Sequence, residues 1–211
     1  MDIYQTEEEQ VEALKKWWQE NGKSAIFGVV LGLGAIFGWR EWQDYEIGQA
    51  AAASTVYEEL VIAARTNDAA TVEEKANQIA AEYDSTAYGT FARLALARVA
   101  ADKGDLDTAT RELRNALAET SEDSIQHVIR LRLAQVLAAA GDSAEAGKVL
   151  SQSSQRGEFV VSYLELEGDL ARANQQLDVA RNTYKEALTL AQGSGQDTTI
   201  LDMKLDDLGR D

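Results

Sequence analysis

"TFARLALARVAADKGDLDTATRELRNALAETSED", Thr90 to Asp123, holds two amphipathic runs on either side of "KGDLD". In the first run Leu96 and Ala97 mark a packing face. In the second, Ala109, Leu113, Ala116 and Leu117 do. The same grammar returns 37 residues later in "RLAQVLAAAGDSAEAGKVL", with Leu133, Ala134, Gly141, Asp142, Ala146 and Leu150. It returns after 34 more in "LEGDLARANQQLDVARNTYKEAL", with Glu167, Gly168, Ala171, Ala180, Tyr184, Ala187 and Leu188. Small residues stand where two helices must cross closely, and a large apolar residue stands one turn further on. A single helical hairpin cannot bury its own apolar face, whereas stacked hairpins share a continuous core.

The repeat predicts an all-α domain, a right-handed solenoid of helical hairpins. It resembles the tetratricopeptide (TPR-like) pattern, with that pattern's tryptophan and proline positions unfilled. The expected hairpins cover about 43–85, 88–120, 125–154 and 159–190. The first is a less regular pair, "YEIGQAAAASTVYEELVIAAR" and "ATVEEKANQIAAEY". A capping helix is expected over 197–208, presenting Ile200, Leu201, Leu205 and Leu208. "AQGSGQ", Ala191 to Gln196, reads as the one loose linker. The chain has no proline, which suits helices, and no strand-period segment of any length.

Upstream lies "SAIFGVVLGLGAIFGW", Ser24 to Trp39, sixteen residues without a charge. At ~1.5 Å per residue the run covers only about 24 Å, short of a hydrocarbon core of about 30 Å. Its flanks extend it. Trp17 and Trp18 precede the run, Trp39 and Trp42 close it, and these are all four tryptophans of the chain. Such rings suit the two membrane interfaces, while Lys23 and Arg40 can reach outward to lipid headgroups. The expected organisation is a cytoplasmic tail over 1–23, a transmembrane helix over 24–42 and a helical-repeat domain over 43–211. Lys15, Lys16 and Lys23 on one side against Arg40 on the other place the N-terminus in the cytoplasm. Gly28 and Gly32, like Gly34 and Gly38, are four apart, the spacing at which a second membrane helix can approach closely.

Composition narrows the function. The 36 acidic and 20 basic side chains give a net charge of −16, which repels nucleic acid and favours basic or unfolded clients. Without cysteine there is no disulfide or thiolate zinc site. The single histidine, His127, reads as a helix residue rather than a ligand. No phosphate-binding loop is present. The acidic pairs Glu58/Glu59, Glu73/Glu74 and Asp206/Asp207 read as solvated helix faces. No catalytic residue, cofactor or metal is expected.

If the repeats stack as tetratricopeptides do, the first helix of each hairpin lines an inner face. Its candidate residues are Phe91, Leu94, Arg98, Leu131, Gln135, Glu165, Asp169 and Arg172. That mixture suits an extended polypeptide; the alternative for some members, Phe91 and Leu94 foremost, is packing against the N-terminal helix pair.

The phrase "EEEQVEALKKWWQENGKSAIFGVVLGLGAIFGWREW" sharpens the reading. Its charged and aromatic flank, followed by the span and by the repeats through "LDMKLDDLG", resembles the YfgM family of ancillary SecYEG translocon subunits of Gram-negative inner membranes. The resemblance implies a type II membrane protein with a periplasmic repeat domain. It further implies association with the SecYEG translocon and with a PpiD-like periplasmic chaperone, and a part in moving unfolded or nascent secreted proteins. It carries no catalytic residue. Two other functions fit the residues alone. One is a membrane-tethered regulator whose tail, with Val11, Leu14 and Trp18 on one side, binds a signalling protein. The other is a hydrolase.

Overall fold

A computed structural model describes residues 7–209; the first six residues of the expected tail and the last two of the chain lie outside them. The described residues form nine α-helices and no strand. These are α1 (Glu7–Arg65), α2 (Ala69–Glu82), α3 (Ala87–Asp102), α4 (Leu106–Glu119), α5 (Asp123–Ala139), α6 (Ser143–Ser151), α7 (Val160–Ala173), α8 (Leu177–Ser194) and α9 (Thr199–Leu208). A 3₁₀ turn at Gly157–Phe159 leads into α7. The chain divides into two compact units, 1–49 and 50–211. Helix α1 runs through residues 42 and 43 without a break. The change from greasy to repeat-like sequence there is a change of side chains, with no helix-stopping residue to end the backbone hydrogen bonding.

In the second unit one turn is used four times. Asn67, Gly104, Gly141 and Gln175 all have positive φ, from 55° to 85°. After each, the next amide reaches back to the preceding helix: Asp68 to the Ala63 carbonyl, Asp105 to Ala100, Asp142 to Leu137 and Gln176 to Ala171, all at 2.9–3.0 Å. This 6→1 closure ends a helix without proline. In three of the four turns the same residue opens the next helix. Asp68, Asp105 and Asp142 accept from the amides of Thr71, Thr108 and Glu145 at 3.0–3.2 Å, the N-cap arrangement. Gln176 makes no such side-chain bond.

The recurrent turn fixes the register of the packing. Counted from it, Leu60, Ala97, Ala134 and Gly168 are equivalent and all buried, as are Val72, Ala109, Ala146 and Ala180. A third set is Ala76, Leu113, Leu150 and Tyr184. Volume is exchanged between the first and third sets. Leu60 accompanies Ala76 in the first hairpin; Ala97, Ala134 and Gly168 accompany Leu113, Leu150 and Tyr184 in the others. The limit is Gly168, where any Cβ would overlap the Tyr184 ring. The first hairpin, which reads as irregular in sequence, thus obeys the same rule with its large residue on the opposite helix.

Three apolar clusters follow along the unit. The first joins α1, α2 and α3, the second runs from α3 to α7, and the third joins α7, α8 and α9. Arg93, only 15% exposed at its side chain, pairs with Asp84, Glu112 and Glu119 and so ties α3 to α4 and to the loop before it. Burial opposes its charge, but the hydrogen bond with Glu119 and the surrounding carboxylates outweigh this and raise its pKa.

The stretch Ala191–Gln196 is not a loose linker. Helix α8 continues through Gly193 to Ser194, and Gly195, at φ 71°, closes it through a Gln196 amide bond to the Ala191 carbonyl. Ala191, fully buried, holds this last turn against the cluster that contains Leu201 and Leu208. Tertiary burial outweighs the low helix propensity of the glycines. Helix α9, starting at Thr199, buries Leu201 and Leu208 in that cluster.

Two outcomes test this packing. Gly168→Ala should destabilise the repeat unit by about 1–3 kcal/mol through overpacking, although alanine is the better helix former by about 1 kcal/mol. Thermal melting should show that Tyr184→Leu in the same chain recovers part of the loss. The second outcome concerns pH. Hydrogen bonding to the Thr108 amide, then to its hydroxyl, lowers the Asp105 pKa. Its capping contribution is present above the unfolded carboxylate pKa and is lost as pH falls through the depressed folded value. Asp105→Asn should therefore flatten that part of the acid limb of the stability–pH curve.

Candidate protein-docking face

Helices α3, α5 and α7, the first helices of their hairpins, present one side to a series of hollows. The first hollow lies among α1, α2 and α3 and has Leu60, Val72, Ala95 and Arg98 in its wall. The second, of about 330 Å³, lies between α3 and α5 and is walled by Leu94, Arg98, Arg132, Gln135 and Val136. The third lies between α5 and α7, with Leu131, Arg132, Gln135, Glu165 and Asp169. Arg98 is shared by the first two hollows, and Arg132 and Gln135 by the last two, so the hollows are consecutive.

Six of the eight residues named from sequence stand in these walls: Leu94, Arg98, Leu131, Gln135, Glu165 and Asp169. Phe91 does not. It is half-buried, with its ring 5.8 Å from that of Tyr57 of α1. Arg172 is exposed at the end of α7, outside the hollows. Sequence reasoning missed two residues. Arg132 lies one turn before Gln135 on the same face of α5, a spacing that could have found it. Lys204 comes from α9, 35 residues beyond Asp169, and no local pattern announces it.

Lys204 donates to Glu165 at 2.7 Å and to Asp169 at 2.6 Å. Asp169 also accepts from the Tyr184 hydroxyl at 2.7 Å. Burial, and then this bond, push the Tyr184 phenol above its ordinary pKa, so it stays a donor. Glu165 and Asp169 therefore belong to a polar network that joins the last hairpin to its cap. Among the described residues Arg98 is instead held only by Asp102, at 2.7 Å, with both side chains largely exposed.

His127 is buried in the α5–α7 packing. Its Nδ1 lies 3.0 Å from the Tyr163 hydroxyl, and its ring stacks on Phe159 at 5.0 Å. It serves packing, as a helix histidine. Among the described residues no three His, Asp or Glu side chains gather as a metal site would need.

In the first unit the residues from Ser24 to Trp39 are exposed on α1, apart from a partly covered Ala25. Trp17 and Trp18 lie 6.5 Å apart, and Trp39 and Trp42 5.3 Å apart. The two pairs are separated by roughly 33 Å of helix. Around Gly28, Gly32, Gly34 and Gly38 an added Cβ would meet nothing within 4 Å. The helix is long and apolar enough to cross a membrane.

A family model described as a tetratricopeptide repeat-like domain matches residues 15–210. A tetratricopeptide repeat protein from Parabacteroides merdae has the same fold, with a TM-score of 0.56 at 16% identity; the match covers 75% of this chain and 58% of that one. The fold is that of a tetratricopeptide-like repeat protein. Two curated relatives narrow the class. One from Escherichia coli is 37% identical over 83% of this chain and 85% of its own length, and one from Haemophilus influenzae is 34% identical over 96% and 97%. Both bear the name ancillary SecYEG translocon subunit, as does a relative from Aggregatibacter actinomycetemcomitans at 30% identity. The chain belongs to this family of ancillary SecYEG translocon subunits (YfgM).

The polar network yields an outcome of its own. Lys204→Met should leave Glu165 and Asp169 without their cation and loosen the cap by about 1 kcal/mol. Amide hydrogen exchange should rise in α9 and leave α3 and α4 unchanged.

Proposed function

We propose that the chain is a single-span, non-catalytic membrane protein that stands beside the SecYEG translocon and docks other polypeptides on the α3–α5–α7 face. The observation that carries this reading is the row of consecutive hollows along the first helices. Such a row fits an extended chain better than a small molecule, because its walls mix apolar, basic and acidic groups over three hairpins. The names of the curated relatives supply the translocon.

The remaining parts have separate support. The excess of lysines before the span favours a cytoplasmic N-terminus, hence a periplasmic repeat domain and the inner membrane as its location. The paired tryptophans, Lys23 and Arg40 would sit at the two lipid interfaces. Gly28, Gly32, Gly34 and Gly38, open on the helix surface, would meet a helix of the translocon. A PpiD-like chaperone and unfolded or nascent secreted proteins are the polypeptides the docking face would receive.

Replacing Arg98, Arg132 and Gln135 together with alanine tests the docking face. All three are exposed, so the melting temperature should stay within a few degrees of the parent. Crosslinking and pull-down from solubilised membranes should then recover less partner chaperone and less client, with translocon association through the span retained. Undiminished capture by the folded triple variant would move docking to another surface. A reporter active only outside the cytoplasm, fused after Asp211, should be active if the orientation is right.

A further inference from the structure

The chain carries 36 carboxylates against 20 cations, yet the hollow between α3 and α5 has no acid in its wall. Its only ionisable residues are Arg98 and Arg132, and all the others are apolar except Gln135. The hollows on either side are mixed. Asp102 accompanies Arg98 in one, and Glu165 and Asp169 accompany Arg132 in the other. The two arginines differ in what holds them. Arg98 is paired with Asp102, one helical turn away, at side-chain exposures of 69% and 61%; such a pair is weak and readily exchanged. Arg132 is exposed and, among the described residues, forms no ion pair with a carboxylate within 4.0 Å. Between them lies an apolar floor in which Leu94 and Val136 are partly open and Leu113 is buried.

We infer that this hollow binds a segment of another polypeptide that carries a side-chain carboxylate next to an apolar residue. The inference rests on the docking-face reading above and adds the chemistry of the occupant. The apolar side chain covers Leu94 and Val136. The carboxylate pairs with Arg132, whose forked donors suit it, and draws Arg98 from Asp102. The sign is opposite to the one the whole chain implies. At physiological salt, screening over about 8 Å confines the repulsion of the net negative charge, so a ligand already at the face responds to the two local cations. The field slows the approach of such a segment and leaves its local contacts intact, which places the selectivity in dissociation.

The test uses the full chain in detergent micelles and three labelled peptides, acetylated and amidated so that they carry no terminal charge. Each repeats Leu, Gly and one variable residue: Glu, Gln or Lys. By fluorescence anisotropy at physiological salt, the Glu probe should bind about tenfold more tightly than the Gln probe, and the Lys probe least. Arg132→Gln should remove most of the Glu preference. Asp102→Asn should tighten the Glu probe about two- to fivefold by releasing Arg98, a gain that damaged folding could not produce. A Lys probe that binds best, or a Glu probe indifferent to Arg132→Gln, overturns the inference. If either result comes with loss of probe binding in Leu94→Ser, the face still docks peptides and only the occupant's charge is wrong. If no probe responds to Leu94→Ser or Arg132→Gln, the docking face itself fails along with the inference.

Discussion

Everything in the second unit depends on one contact repeated in each hairpin, a small side chain on one helix beneath a larger one on its partner. Interiors are packed to near-crystalline density, so helices can approach closely only where volume is given up on one side. Gly168 under Tyr184 is the extreme case. The positive-φ turn with its aspartate cap keeps that contact in register from one hairpin to the next, by fixing how far each second helix starts from the end of the first. With these two devices the apolar faces meet in sequence, and the first helices are left with one side free for the row of hollows.

The same contacts decide what sequence could reveal. Hairpins two and three were legible because Gly104, Gly141 and the Ala–Leu pattern repeat as letters, and the fourth, whose turn residue is Gln175, through the spacing of Ala171, Ala180 and Ala187. The first hairpin was legible only as a less regular pair, because Leu60 exchanges size with Ala76 and breaks the small-before-large order. Geometry there is conserved while residue types are not. Ala191–Gln196 misled for a related reason: two glycines look like a linker, but burial of Ala191 keeps the helix going. On the docking face, helical spacing named six wall residues. Phe91 packs instead on Tyr57 of the N-terminal helix pair, the alternative its apolar ring already offered. Lys204 was out of reach of local spacing because its partners lie in another helix.

Charge shows how little a sum over the chain says about a particular place on it. A net charge of −16 predicts basic clients. Carboxylates that line the hollows are largely engaged, Glu165 and Asp169 by Lys204 and Asp102 by Arg98. The α3–α5 hollow departs from that rule, and only an arrangement of side chains in space could expose it. The membrane unit poses the converse case. Its meaning is carried almost wholly by sequence, in the tryptophan pairs, the lysine excess and the uncharged run.

The central claim is that partner and client polypeptides meet this protein on the first-helix face of its repeats. Site-specific photocrosslinking in intact membranes addresses it most directly, with the photoreactive residue placed once at Gln135, between two hollows, and once at Asn115, exposed on second helix α4. The account predicts polypeptide adducts from position 135 and few from position 115. Equal adducts from both positions, or adducts from 115 alone, would contradict it.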